Sequence, residues 1–137
     1  MPDGSNIRRP VSHRWGALVA VVGGGFIGSL SRAAVASALP NNPDTFPLAT
    51  LVINLSGSLL LGLYLARRQR ADVTRLSLQF WAIGVLGSFT TFSAFGFETF
   101  QLIEASRADL AVGYIAASTL GGLLAAILGG RLGRVMS

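Results

Sequence analysis

The stretch GVLGSFTTFSAFGFETF, residues 84–100, decides how this chain folds, because it joins membrane-like hydropathy to helix-breaking and polar residues. Glycines open it, hydroxyl side chains follow, and phenylalanines run through it at positions 89, 92, 95, 97 and 100. Unpaired backbone and hydroxyl groups are costly in lipid. We therefore expect a transmembrane helix that is broken near its centre, with the break buried in protein or lining a polar cavity.

The overall composition indicates a small integral membrane protein. Of the 137 residues, 51% are hydrophobic and 12% are charged, which is about half the charged fraction of a soluble domain. The chain has no cysteine, and its single histidine, His13, lies in a polar leader. Serine and threonine therefore have no base partner for nucleophilic catalysis, so we predict that the protein is not an enzyme.

Four apolar segments are each long enough to cross a bilayer, which takes about 20 residues of helix. The predicted helices are at about 15–39, 47–66, 78–103 and 110–130. They form one all-α membrane domain, residues 15–134, after a leader at 1–14 and before a tail at 135–137. The first segment is too long for the apolar core of a signal peptide, so we expect it to be retained as a helix.

Gly24 and Gly28 in the first segment have the GxxxG spacing at which two helix backbones approach closely. The surrounding GGGFIG also looks like a dinucleotide-binding loop. That motif requires a preceding strand and a later acidic residue within a βαβ unit, and the sequence provides neither. We expect a packing face.

The net charge of +5 comes from eleven basic residues, all of them arginine. They cluster at the ends of apolar runs, which indicates contact with phospholipid headgroups rather than with nucleic acid. One side of the membrane would carry nine of them, namely Arg8, Arg9, Arg14, Arg67, Arg68, Arg70, Arg75, Arg131 and Arg134. The other side would carry Arg32 and Arg107. The positive-inside rule then places both termini in the cytoplasm of a bacterial cell.

The candidate pore residues inside the predicted spans include several neutral hydrogen-bond donors. Their donors are the hydroxyls of Thr90, Thr91, Ser93, Tyr114, Ser118 and Thr119 and the amide of Asn54. Hydroxyl and amide donors suit an anion, as do the positive edges of aromatic rings such as Phe92 and Phe95. Central arginines would hold an anion too tightly for conduction. The pattern favours a small hard anion as the permeating species.

The predicted break has a second consequence. Unwinding near Gly87 and Thr90 would free backbone carbonyls, which can hold a cation such as Na⁺. Four helices of this size enclose no obvious pore, so we expect a dimer.

Three segments in register resemble the signature segments of the Fluc (CrcB) fluoride channels. They are GGGFIGSLSR (23–32), ATLVINLSGSLLLG (49–62) and GVLGSFTTFSAF (84–95). The resemblance covers about residues 15–134 and implies a passive fluoride channel that lowers cytoplasmic fluoride. It also implies an antiparallel dimer with two pores and a central structural Na⁺ that is required for activity and not transported.

The resemblance also implies residue roles. The pore side chains would be Asn54, Phe92, Ser93, Phe95, Tyr114 and Ser118. The carbonyls of Gly87 and Thr90 would bind the Na⁺. Arg32 resembles the first-helix arginine of the family, Glu98 resembles a carboxylate near the pore, and Thr91 is a further accessory candidate.

Two features depart from the family pattern. Ser88 and Ala94 stand where many members have Gly and Thr or Ser, which affects the fine tuning of the hydroxyl track. The arginine bias between the two sides of the membrane is the more serious departure. A chain that inserts in both orientations should carry nearly equal numbers of arginines on the two sides. The partner is therefore either a second copy or an oppositely oriented homologue.

Two other functions remain as alternatives. A proton-coupled small multidrug exporter also has four short helices in an antiparallel dimer, but it needs a carboxylate deep in the first helix. Residues 15–39 contain none. A membrane scaffold without transport activity is the other alternative.

Overall fold

The structure, a computed structural model, describes residues 11–39, 42, 45–68 and 74–136, with side chains from Trp15 onward. Its four membrane-length elements are the first helix (Val11–Ala38), the second helix (Leu48–Arg68), the third span (Arg75–Glu104) and the fourth helix (Ala108–Val135). Each is long and apolar enough to cross a membrane. The predicted all-helical, four-span architecture is confirmed. The first ten residues of the predicted leader lie outside the described residues, as does most of the two loops at 40–44 and 69–73.

The helices extend beyond the apolar segments that predict them. The fourth helix continues to Val135, five residues past the predicted end. Arginine is a good helix former, and Arg134 in the last turn interacts favourably with the negative end of the helix dipole. Hydropathy therefore locates the spans, whereas helix propensity sets their ends.

The first helix packs along the first half of the third span. A Cβ atom on Gly24 would overlap the carbonyl oxygen of Phe80, and one on Gly28 would overlap that of Val85. Both glycines therefore lie directly against the neighbouring backbone. The packing face that the GxxxG spacing predicts is confirmed.

The second and fourth helices form the other closely packed pair. Here too the contact is between backbones, because a Cβ on Gly62 would overlap the carbonyl oxygen of Ala126. Gly129 has the same relation to the carbonyl oxygen of Leu59. In lipid, such close approach replaces the hydrophobic driving force that packs helices in water.

The first half of the third span is not a regular α-helix. The Thr74 hydroxyl caps it by accepting from the Ser77 amide at 3.2 Å, and after one turn the chain forms a π-helix, Gln79–Leu86. The sequence contains no signal that predicts the π-helix. Gly84 within it lies against Gly24 of the first helix.

Two residues of extended backbone, Thr90 and Thr91, separate the single α-helical turn Gly87–Phe89 from the helix Phe92–Glu104. Their ψ angles are 155° and 125°. The third span therefore contains a short non-helical segment at Thr90 and Thr91.

Little of the apolar surface is buried within one chain. The core consists of a few residues, of which Ile53, Leu102 and Tyr114 are the largest fully buried side chains. At most 22% of the most apolar window of any span is buried. Lipid or another protein must therefore cover the rest.

The turn between the third span and the fourth helix contains one residue with a left-handed backbone, Ser106, at φ 59°. Its amide donates to the Ile103 carbonyl at 3.0 Å, and the Arg107 amide donates to the Leu102 carbonyl at 2.8 Å. This is a Schellman motif, in which glycine is the usual residue at the position of Ser106.

We predict that Ser106→Gly stabilises the protein by about 1 kcal/mol, because glycine adopts this conformation without a Cβ penalty. Thermal unfolding of the detergent-solubilised protein measures the effect. The matched control is Ala105→Gly, since Ala105 has a φ of −73° in the same turn and glycine there only raises the entropy of the unfolded chain. Equal shifts for the two variants would contradict this account of the turn.

We also predict that Gly28→Ala destabilises the protein by about 1–3 kcal/mol, because the methyl group would force two backbones apart. Gly113→Ala is the control, since a Cβ at Gly113 meets nothing within 4 Å in the chain. The same unfolding measurement compares the two. A Gly28 variant as stable as the control would show that the contact is not tight.

Candidate functional site

The extended backbone at Thr91 is held by the side chain of Asn54 from the second helix. Asn54 Nδ2 donates to the Thr91 carbonyl at 2.9 Å, and the Thr91 amide donates to Asn54 Oδ1 at 2.9 Å. The carboxamide thus pairs with both the N–H and the C=O of Thr91, as a residue of a neighbouring antiparallel β-strand would. This leaves Asn54 with one N–H available for another partner.

The hydroxyl of Thr91 begins the second half of the span. It accepts a hydrogen bond from the Ala94 amide at 3.1 Å, which makes it an N-cap, and it lies 3.2 Å from Ser93 Oγ. The hydroxyl of Thr90 donates to the Leu86 carbonyl at 3.0 Å. These contacts satisfy polar groups that would otherwise be costly in a membrane.

Two backbone carbonyls lose their helical donors through these contacts. In a continuous α-helix the Thr91 amide would donate to the Gly87 carbonyl, and the Ala94 amide would donate to the Thr90 carbonyl. Both amides donate to side-chain oxygens instead. These are the carbonyls that the family resemblance implies as cation ligands, and neutral carbonyl oxygens suit Na⁺. The donor set therefore fits that ion.

No group of three or more His, Cys, Asp or Glu residues that could hold a metal occurs in the part of the chain that the structure describes. A cation site in this part of the molecule would therefore depend on carbonyl oxygens.

A second polar cluster surrounds Glu98. Its Oε1 accepts from the Thr50 hydroxyl at 2.7 Å, and its Oε2 accepts from the Tyr114 hydroxyl at 2.6 Å. Tyr114 is fully buried. Each carboxylate oxygen therefore receives a short hydrogen bond, which fixes the orientation of the carboxylate between the second and fourth helices.

The sequence analysis did not select Thr50 as a site residue. The available signal was its position one helical turn before Asn54, which puts both side chains on one face of the second helix.

Aromatic rings connect the two clusters. The ring centroids of Phe92 and Phe95 lie 5.6 Å apart, and those of Phe95 and Tyr114 lie 5.2 Å apart. Both pairs are tilted, so ring edges as well as faces are presented. Phe92 is 84% exposed in the single chain, and it needs a partner molecule or lipid to cover it.

The hydroxyl oxygen of Ser118 is buried and has no hydrogen-bond partner among the described residues. Ser118 lies one helical turn after Tyr114 on the fourth helix. An unsatisfied buried hydroxyl in this position is available to a water molecule or an ion.

Two cavities border the extended segment. One, of about 290 Å³, is lined by Asn54, Gly87, Thr90, Thr91 and Phe92 among others. The other, of about 710 Å³, is lined by Arg32, Thr50, Thr91, Ser93 and Glu98 among others. Thr91 is a wall residue of both. Of the predicted site residues, Phe95, Tyr114 and Ser118 are outside these linings and lie along the path of rings and hydroxyls.

The structure thus offers fewer free donors than the sequence predicts. The hydroxyls of Thr90 and Tyr114 already donate to a carbonyl and to a carboxylate. Hydroxyls in a membrane helix bond to nearby acceptors when no other partner is present. The second N–H of Asn54 and the hydroxyl of Ser118 remain without a described partner, whereas the hydroxyls of Thr91 and Ser93 lie 3.2 Å apart and one donates to the other.

Comparison with known proteins identifies relatives over most of the chain. The family model described as CrcB-like protein, Camphor Resistance (CrcB), matches residues 19–130. The chain is 42% identical over 118 residues to the fluoride-specific ion channel FluC of Stutzerimonas stutzeri (strain A1501), covering 85% of this chain and 95% of the relative.

Two further relatives carry similar names. The identity is 41% over 110 residues with fluoride-specific ion channel FluC 1 of Methanosarcina acetivorans, covering 77% of this chain and 82% of the relative. The identity with fluoride-specific ion channel FluC 2 of Nocardia farcinica is 37% over 113 residues, covering 82% of this chain and 81% of the relative. The chain therefore belongs to the Fluc (CrcB) family, as its three sequence motifs predict.

Proposed function

We propose that this chain forms a fluoride-selective channel that lets F⁻ leave the cytoplasm passively across the cell membrane of a bacterium. The names of the relatives given above support fluoride as the permeating ion. The observation that carries the proposal is the Asn54–Thr91 pair, which brings a free amide N–H and Phe92 to the wall of one cavity. An N–H donor beside a ring edge is an environment that a small hard anion prefers.

Membership of this family makes the protein an ion channel and not an enzyme, and it confirms the prediction from composition. The four spans make it a multi-pass membrane protein.

Selectivity would come from weak neutral donors in a narrow, largely apolar path. Phe92, Phe95 and Tyr114 form a series of rings, and Ser93 and Ser118 add hydroxyls along it. Neutral donors replace part of the water around the ion, yet they bind it weakly enough for release.

The carboxylate of Glu98 would act on this path through orientation rather than as a ligand. It receives the hydroxyl of Tyr114 and thereby fixes the tyrosine ring against Phe95. Arg32 on the wall of the larger cavity supplies the opposite charge, which attracts anions to that cavity.

We also propose a structural Na⁺ at the centre of a dimer, bound by the carbonyls of Gly87 and Thr90. The ion would supply a fixed positive charge beside the non-helical segment, and it would not be transported. Two carbonyls from one chain are fewer oxygens than a hard cation takes, so a second chain would contribute its own pair.

The second chain would lie antiparallel to the first. The exposed Phe92 and the low burial of all four spans leave room for such a partner. The excess of arginine on one side supports an orientation with both termini in the cytoplasm. It leaves two possible partners, a second copy inserted in the opposite orientation and an oppositely oriented homologue.

The first test is ion release from liposomes. Purified protein, alone and combined with a homologous chain of opposite arginine bias, should release fluoride at a rate at least about 100-fold above its release of chloride. A narrow path admits the smaller halide, and N–H and O–H donors bond the more basic fluoride ion more strongly than chloride. A fluoride electrode measures the release. Vesicles that retain fluoride in both preparations would contradict the proposed function, and resistance to cationic drugs would favour the exporter.

The second test concerns Phe92. Phe92→Ile removes the ring edge but keeps an apolar side chain, and it should slow fluoride release at least about tenfold, the effect of about 1.4 kcal/mol. Phe100→Ile is the matched control, since Phe100 is exposed on the same helix and lines neither cavity. Equal rates for the two variants would remove Phe92 from the path.

A further inference from the structure

We propose that Asn54 and Thr91 are positioning residues for the central cation, because each withdraws an amide N–H from a carbonyl that the cation would bind. This inference rests on the Na⁺ site of the proposed function. It assigns to the side-chain oxygens of Asn54 and Thr91 the role of accepting backbone N–H groups, in addition to any contact that these residues make with the anion.

The part played by Asn54 follows from its two hydrogen bonds with the backbone N–H and C=O of Thr91. Asn54 Oδ1 accepts the Thr91 N–H at 2.9 Å, and that N–H is the group that would close onto the Gly87 carbonyl in a continuous helix. The reverse bond, from Asn54 Nδ2 to the Thr91 carbonyl, holds the peptide in place. Asn54 therefore keeps the Gly87 carbonyl oxygen available.

The part played by Thr91 concerns the other carbonyl. Its hydroxyl oxygen accepts the Ala94 N–H at 3.1 Å, and that N–H would close onto the Thr90 carbonyl in a continuous helix. The backbone of Thr91 is extended, with φ −145° and ψ 125°, so the next helix begins only at Phe92.

The two amides that bond side chains each lie four residues after one of the two proposed cation-binding carbonyls. Thr91 follows Gly87 by four residues, and Ala94 follows Thr90 by four residues. The intermediate carbonyls of Ser88 and Phe89 also accept no backbone hydrogen bond among those described, because the backbone of Thr90 and Thr91 is extended. Asn54 and Thr91 therefore account for two of the four carbonyls that the extended segment frees, and these two are the ones proposed to face the cation.

Na⁺ binding to the purified protein tests this inference without relying on transport. The probe is Na⁺ itself, titrated as chloride against N-methyl-D-glucamine at constant ionic strength, and the readout is the midpoint of thermal unfolding. Binding to the folded state raises that midpoint with concentration. The sample is the purified assembly that is also reconstituted for the liposome measurements.

Two pairs of variants separate the acceptor from the rest of the side chain. Asn54→Leu removes the acceptor, so the Thr91 amide can close onto the Gly87 carbonyl; Asn54→Asp keeps an acceptor oxygen. Thr91→Val removes the cap at nearly constant shape, whereas Thr91→Ser keeps it. We expect the Leu and Val variants to bind Na⁺ at least about tenfold more weakly, and the Asp and Ser variants to bind it within about threefold of the unmodified chain, since one net hydrogen bond corresponds to about a factor of ten.

Fluoride release is measured in parallel. Asn54→Asp should slow the release, because its negative charge repels the anion, while it retains the response to Na⁺. Loss of the Na⁺ response in that variant would overturn the inference for Asn54. So would an unchanged Na⁺ response in Asn54→Leu, and the same result in Thr91→Val would overturn it for Thr91.

The remaining outcomes separate the proposed channel function from the proposed positioning of the carbonyls. If Asn54→Leu does not fold, the Thr91 pair decides alone. If the unmodified chain releases fluoride but does not respond to Na⁺, this inference fails while the proposed channel stands. If it responds to Na⁺ but releases no fluoride, the proposed channel fails while the positioning of the carbonyls is supported by the variants.

Discussion

The requirement that every backbone polar group in a membrane find a partner governs this structure. At Thr90 and Thr91 the chain leaves the helix, and two amides and their carbonyls would be unpaired. One carboxamide from the second helix and one hydroxyl within the segment bond the amides. The carbonyl oxygens of Gly87 and Thr90 and the second N–H of Asn54 are then left beside the 290 Å³ cavity.

The rest of the fold positions that segment. The first helix can approach the third span closely because Gly24 and Gly28 have no side chain, and the second and fourth helices approach each other in the same way. The second helix then carries both Asn54, which holds Thr91, and Thr50, which holds Glu98. A displacement of this helix by one turn would disconnect both clusters.

Much of this could be predicted from the sequence. Hydropathy located the four spans, glycine spacing identified the first packing face, and three motifs identified the family. Other features have no local signature. The π-helix packs against the first helix, the partner of Thr91 lies 37 residues away at Asn54, and the donors of Glu98 lie 48 and 16 residues away. A sequence shows that Asn54 is polar, but only the fold shows that its amide is already engaged by a peptide.

The central claim is that the cavity beside Thr91 lies on the path of the anion, and thiol labelling tests it most directly because the chain has no cysteine. Ser58 lines the 290 Å³ cavity together with Asn54 and Thr91. Fluoride current through Ser58→Cys channels should stop when a charged, water-soluble thiol reagent is added, while channels without the cysteine continue to conduct. A labelled Ser58→Cys channel with undiminished fluoride current would place the path elsewhere.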